Sequence, residues 1–204
     1  MSVKSIAQSV SPKYFFEEII AARVPAKLDN FDLGEFKFQE WTNTYLKAKC
    51  GDFRVRVEYR EENKGRFGLG NESVIKFSEF LEKLENGEEN LYLTTQNLNY
   101  TAEGMPSLTS PPVDGLVGDF PWNVSFMGNL IVQNCNLWMG CSSINSTSGL
   151  HHDYHDNLYI LLRGTKKFIL YNYCDAENLY PSGKIALVHP NGRINYEGQL
   201  TRAV

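Results

Sequence analysis

The chain has 204 residues, of which 42% are hydrophobic and 22% charged, enough to close the core of one domain with an arm and too apolar for a disordered segment. A formal net charge of −4, with Lys and Arg scattered, argues against a nucleic-acid binder held mainly through phosphate contacts. No run approaches the roughly 20 apolar residues of a membrane helix, and the N-terminal stretch lacks the apolar centre of a secretory leader, so neither a membrane partner nor export is expected.

Ser11-Pro12 reads as a helix start: a capping hydroxyl, then proline at the first helical position. Tyr14, Phe15, Ile19 and Ile20 follow at helical spacing, and Pro25 stops the run after Arg23. A second helix is predicted over 40–49, with Trp41, Tyr45 and Leu46 on one side and Gly51 beyond its end. Residues 53–60 alternate apolar and charged side chains, which predicts a strand with one buried and one wet face. Residues 61–72 read as a charged, Gly-rich loop. Phe77, Phe80, Leu81 and Leu84 define a third helix closed by Asn86-Gly87, and a short strand follows over 91–96. The proline-bearing stretch 97–122 reads as a long surface connection.

From about residue 129 the texture becomes β-rich, with strand candidates at 130–133, 136–139, 158–162 and 168–171 and turn residues between them. The class is therefore α+β, with the β part a sandwich or barrel. Cys50, Cys135, Cys141 and Cys174 form no CxxC pair and read as thiols of a reducing, intracellular setting, cytoplasmic or nuclear. Asn71, Asn99, Asn123 and Asn145 each begin an Asn-x-Ser/Thr tripeptide, which alone does not establish secretion.

One segment concentrates chemistry: Gly149-Leu150-His151-His152-Asp153-Tyr154-His155-Asp156-Asn157. On a helix, His151 and His155 would share a face and could bind a metal together. On a strand, His151 and Asp153 share a face instead. The strand is favoured, because no helical apolar stripe surrounds the cluster and Leu158-Tyr159-Ile160-Leu161-Leu162 runs straight into a turn at Arg163-Gly164-Thr165. A histidine and a carboxylate two apart supply two legs of the facial triad that holds non-haem Fe(II) and leaves sites open for a cosubstrate and O₂. The plain alternative is a polar loop at a strand entrance.

Leu137-Trp138-Met139-Gly140, then His151-His152-Asp153, Asp156-Asn157 and Arg163-Gly164-Thr165-Lys166-Lys167 together resemble the JmjC (cupin-like) family of Fe(II)- and 2-oxoglutarate-dependent oxygenases. Upstream, Tyr14-Phe15-Phe16-Glu17 through Pro25, Trp41 with Tyr45-Leu46, Phe77-Ser78-Glu79-Phe80 and Leu91-Tyr92-Leu93 fall where the family carries similar pieces, so the resemblance covers most of 11–171. It implies a mainly β version of the α+β class. Residues 1–128 would form a helix-rich arm, and 129–204 the first part of a double-stranded β-helix (cupin or jelly-roll) core. It implies His151 and Asp153 as iron ligands, and Lys166 as the cation for the distal carboxylate of 2-oxoglutarate. Asn157 would line the cosubstrate pocket, and Ser148 or Thr147 would offer it a hydroxyl. Trp138 and Tyr92 read as core.

The pattern departs from the family at the second histidine. The only later one is His189, before Pro190-Asn191-Gly192, where a turn is expected and nothing strand-like follows. The closing strands are also missing, so the β-helix is expected to be incomplete at the C-terminus. The chain would then be a fragment or short form, with unpaired edges available for self-association. The implied activity is hydroxylation of a protein side chain, with demethylation and oxidation of a modified tRNA base as family alternatives. The competing readings are a catalytically inactive cupin-like interaction module and a zinc site built from His151, His155 and a cysteine.

Overall fold

The computed structural model describes residues 3–7, 9–29, 31–60, 71–141, 147–148, 150–151, 153, 155–179, 184–188 and 194–197. It separates into two units, Met1–Leu150 and His151–Val204.

The first unit begins with a short strand, β1 (Lys4–Ile6), and the predicted helix. Ser11 Oγ accepts a hydrogen bond from the Tyr14 amide at 3.2 Å and Pro12 occupies the first turn of α1 (Pro12–Phe15), as their chemistry demands. The chain then widens into a π-helical turn, Phe16–Ala21, and ends at Arg23, whose φ of 55° breaks the helix ahead of Pro25. Strand β2 (Ala26–Leu28) returns parallel to β1. Ile6, Phe15 and Ile19 pack with Val124 and Phe126. Phe126 meets Phe15 and Phe31 edge-on, with centroids 5.0 and 4.9 Å apart, the arrangement aromatic quadrupoles favour.

Helix α2 (Asn43–Cys50) starts three residues later than its pattern predicts. Thr42 Oγ1 caps the Tyr45 amide at 3.2 Å, and Phe38–Glu40 forms a separate tight turn before it. Strands β3 (Arg54–Tyr59) and β4 (Asn71–Lys76), helix α3 (Phe77–Glu85), β5 (Leu91–Leu93) and β6 (Met139–Gly140) complete the main layer. The sheet runs β4-β3-β5-β6, antiparallel throughout. Phe77, Phe80 and Leu81 of α3 are fully buried, as are Leu46, Val55, Val57 and Leu93. Each such side chain contributes about 1.5–3 kcal/mol by leaving water. Gly87, at φ 83°, closes α3 where the sequence places its stop. Gly140 is required by close approach: a Cβ there would lie 2.6 Å from the Tyr92 ring.

Several sequence expectations are corrected. β4 forms where the loop was expected to end and beyond; most of that loop, 61–70, lies outside the described residues. The charged face of β3 is wet only in part: Arg54 is exposed and Arg56 half-buried, but Glu58 is only 1% exposed. Its carboxylate lies 3.8 Å from Arg60 Nε, and the Arg60 guanidinium stacks 4.8 Å from the Tyr92 ring centroid. On the same face Arg56 pairs with Glu72 of the neighbouring β4 at 2.9 Å. Past the end of β5, Gln96 extends the ladder with its side chain. Its Oε1 accepts from the Arg56 amide at 2.6 Å and its Nε2 donates to the Arg56 carbonyl at 2.8 Å.

The 97–122 stretch is not merely a surface connection. Thr109, Ser110, Val113, Leu116 and Asp119 are buried, and the turn Val113–Leu116 sits against α2. Asp119 fastens this stretch, accepting from Trp41 Nε1 at 3.0 Å and from the Tyr45 hydroxyl at 3.0 Å. Burial and the Asp119 carboxylate push the Tyr45 hydroxyl pKa up, and the same two causes push the Cys50 thiol to about 11.

The β-rich second half is the largest departure. Residues 130–133 and 136–138 form no strand, and only Met139–Gly140 pairs, with β5. Residues 158–162 and 168–171 join no ladder, so among the described residues no β-helix closes around them. The second unit pairs instead through β7 (Ile185–Val188) and β8 (Ile194–Tyr196), antiparallel with one irregularity. β8 overturns the expectation that nothing strand-like follows His189, which itself lies outside the described residues.

Candidate metal centre

His151, Asp153, His155, Asp156, Asn157 and Lys166 all fall in the second unit and all are exposed. The described positions among residues 151–157 are neither helix nor strand, so the helical pairing of His151 with His155 does not form, and the strand alternation that pairs His151 with Asp153 is not fixed by a ladder. His152 and Tyr154 lie outside the described residues.

A side-chain bond organises the segment instead. Asn157 Nδ2 donates to Asp153 Oδ2 at 2.6 Å, holding one carboxylate oxygen and leaving Oδ1 and the rest of the amide for other partners. The sequence gives a weak signal for this bond, an Asn four residues after an Asp in one irregular stretch. The resemblance implies that Asn157 lines the cosubstrate pocket.

Beyond the cluster the chain turns at Gly164, whose φ is 78°, where a turn is expected. The two arms face each other there: the Tyr159 and Phe168 rings meet edge-on at 5.0 Å. Burial pushes the Tyr159 hydroxyl pKa up. Lys166 Nζ stands 6.0 Å from the Phe168 centroid, at the outer limit of a cation–π contact. This two-residue relation agrees with strand-like alternation placing Lys166 and Phe168 on one side. Lys167 is equally exposed.

Ser148 and Thr147 belong to the first unit and are exposed. Trp138, expected in the core, is 40% exposed and donates from Nε1 to Thr95 Oγ1 at 3.2 Å. Tyr92 is half-buried beneath Arg60, consistent with packing.

The donor types at His151 and Asp153, nitrogen and oxygen, are ones that Fe(II) takes. An imidazole and a carboxylate two residues apart, both open to solvent, are donor types that a facial triad uses. Among the described residues no three His, Cys, Asp or Glu side chains come together, which applies equally to a zinc site from His151, His155 and a cysteine. No helix among these residues is long and apolar enough to cross a membrane.

Comparison with known proteins adds an independent line. The family model described as a cupin-like domain matches residues 12–201. The JmjC domain-containing protein 4 of Schizosaccharomyces pombe is 42% identical over 204 aligned residues, covering 93% of this chain and 42% of that protein. The human bifunctional peptidase and (3S)-lysyl hydroxylase JMJD7 is 24% identical, covering 84% of this chain and 54% of its own length. A tRNA wybutosine-synthesizing protein 4 from Neurospora crassa is 26% identical over 80% of this chain and 13% of that protein. The chain thus spans about half, or less, of the length of the curated relatives it matches.

Proposed function

We propose, from the premise that this chain belongs to the cupin-like family to which JmjC-domain proteins are related, that it carries the metal- and cosubstrate-binding part of an Fe(II)- and 2-oxoglutarate-dependent oxygenase acting on a protein side chain. The observation that carries the reading is the cupin-like family match over 12–201, a span that includes positions 151, 153 and 166. The lysyl hydroxylase named among the relatives supports hydroxylation of a protein over demethylation, and the net charge of −4 disfavours tRNA. Four free thiols among the described residues support an intracellular setting, cytoplasmic or nuclear.

His151 and Asp153 would hold the iron, with a further histidine as third donor. Iron held there would supply oxidative C–H hydroxylation, with 2-oxoglutarate and O₂ consumed and succinate and CO₂ released. The Asp153 carboxylate would offer the cation an oxygen donor and the His151 imidazole a nitrogen donor. Lys166 supplies a fixed positive charge for the distal carboxylate of the cosubstrate. Asn157 offers it a hydrogen bond.

The test is succinate release from 2-oxoglutarate by the purified protein with Fe(II) and O₂. Turnover should vanish in His151→Ala and Asp153→Ala, and Lys166→Ala should mainly raise the cosubstrate KM. A stable chain that neither retains iron nor releases succinate would instead make this an inactive cupin-like interaction module.

A further inference from the structure

The bond from Asn157 Nδ2 to Asp153 Oδ2 is short, at 2.6 Å, and runs between two exposed side chains that water could satisfy separately. The donor is an amide N–H and the acceptor a carboxylate oxygen, so the bond occupies one defined oxygen of Asp153. Asp153 and Asn157 themselves lie in neither helix nor strand, so this bond bears directly on the direction of the Asp153 carboxylate. A carboxylate with one oxygen already taken presents the other to a cation in a single orientation. Partners of this kind set the geometry and affinity of metal ligands.

We propose that Asn157 is a positioning residue for the metal: it pins Asp153 so that Oδ1 is the coordinating atom. This rests on the reading of Asp153 as an iron ligand. The role is separate from any contact Asn157 makes with 2-oxoglutarate, since the bond uses one of its two N–H groups and leaves the carbonyl free. Asn157 is exposed and outside the buried cores, so its replacement leaves the packing of both units alone.

The experiment is Mn(II) titration of the full chain without cosubstrate, followed by the loss of the free-ion electron paramagnetic resonance signal. Asn157→Leu keeps the approximate shape and removes the donor; Asn157→Gln keeps an amide on a longer stem. The expected result is a Kd weakened about 10-fold or more in Asn157→Leu and partly restored in Asn157→Gln, with Asp153→Ala abolishing binding. Equal affinity in the wild type and Asn157→Leu, with binding lost in Asp153→Ala, overturns the positioning role and leaves the metal reading intact. Failure of the wild type to bind Mn(II), or binding that survives in Asp153→Ala, overturns both.

Discussion

Val55 and Val57 on β3, and Leu158, Ile160 and Leu161 in the second unit, are side chains of the same kind in runs of similar length, yet the first pair is fully buried and the second group is 38–49% exposed. The difference lies in what the backbone meets. Strand β3 has β4 along one edge and β5 along the other, and α3 supplies Phe77 and Phe80 to the same core. Residues 158–162 have no ladder partner among the described residues. Apolar character makes a segment fit for a sheet, but a neighbouring strand makes it one. The two regions also divide the labour: Met1–Leu150 holds the buried cores, while the second unit carries the His151–Asp153 pair on irregular backbone.

The comparison can be broken by substitution. Phe77→Ala removes a fully buried ring from under the sheet and should cost about 3–5 kcal/mol in urea unfolding; a loss below about 1 kcal/mol would mean that this core is not the stabilising one. Asp119→Ala should cost about 2–4 kcal/mol, because Trp41 Nε1 and the Tyr45 hydroxyl lose their acceptor, one in a buried and one in a half-buried place.

Alkali should act in the same place. The folded-state pKa of Cys50 is raised from 9.0 to about 11, so its contribution to stability is complete below pH 9 and is lost as pH rises toward 11. Tyr45 shifts in the same direction. Unfolding midpoints should therefore fall over that window, and the fall should be smaller in Cys50→Ala. At the far end, Leu161→Ser should change stability by no more than about 0.5 kcal/mol, as at other exposed sites. A loss of 2 kcal/mol would show that 158–162 is packed after all.

Much of the first unit is legible in the sequence because its signals are local. The Ser11-Pro12 start, the Asn86-Gly87 stop and the spacing of Phe77, Phe80 and Leu81 are read within one or two turns of chain. Asp119 is not legible, since its partners lie 74 and 78 residues away, nor is the burial of Glu58, which depends on neighbouring strands. β4 is not legible locally either, because Asn71–Lys76 alternates weakly and is recruited by β3. For the candidate site the residue types were legible and the geometry was not. His151, Asp153 and Lys166 stand out by spacing and resemblance, but apolar runs alone do not supply the ladder that a strand reading of 158–162 assumes.

The central claim, that this second unit is a metal-binding one, is tested most directly by locating a paramagnetic ion. Sub-stoichiometric Mn(II) added to the ¹⁵N-labelled chain should broaden the amide signals of residues 151–157 selectively, and His151→Ala should abolish that broadening. Broadening elsewhere, or a pattern unchanged in His151→Ala, would contradict the account.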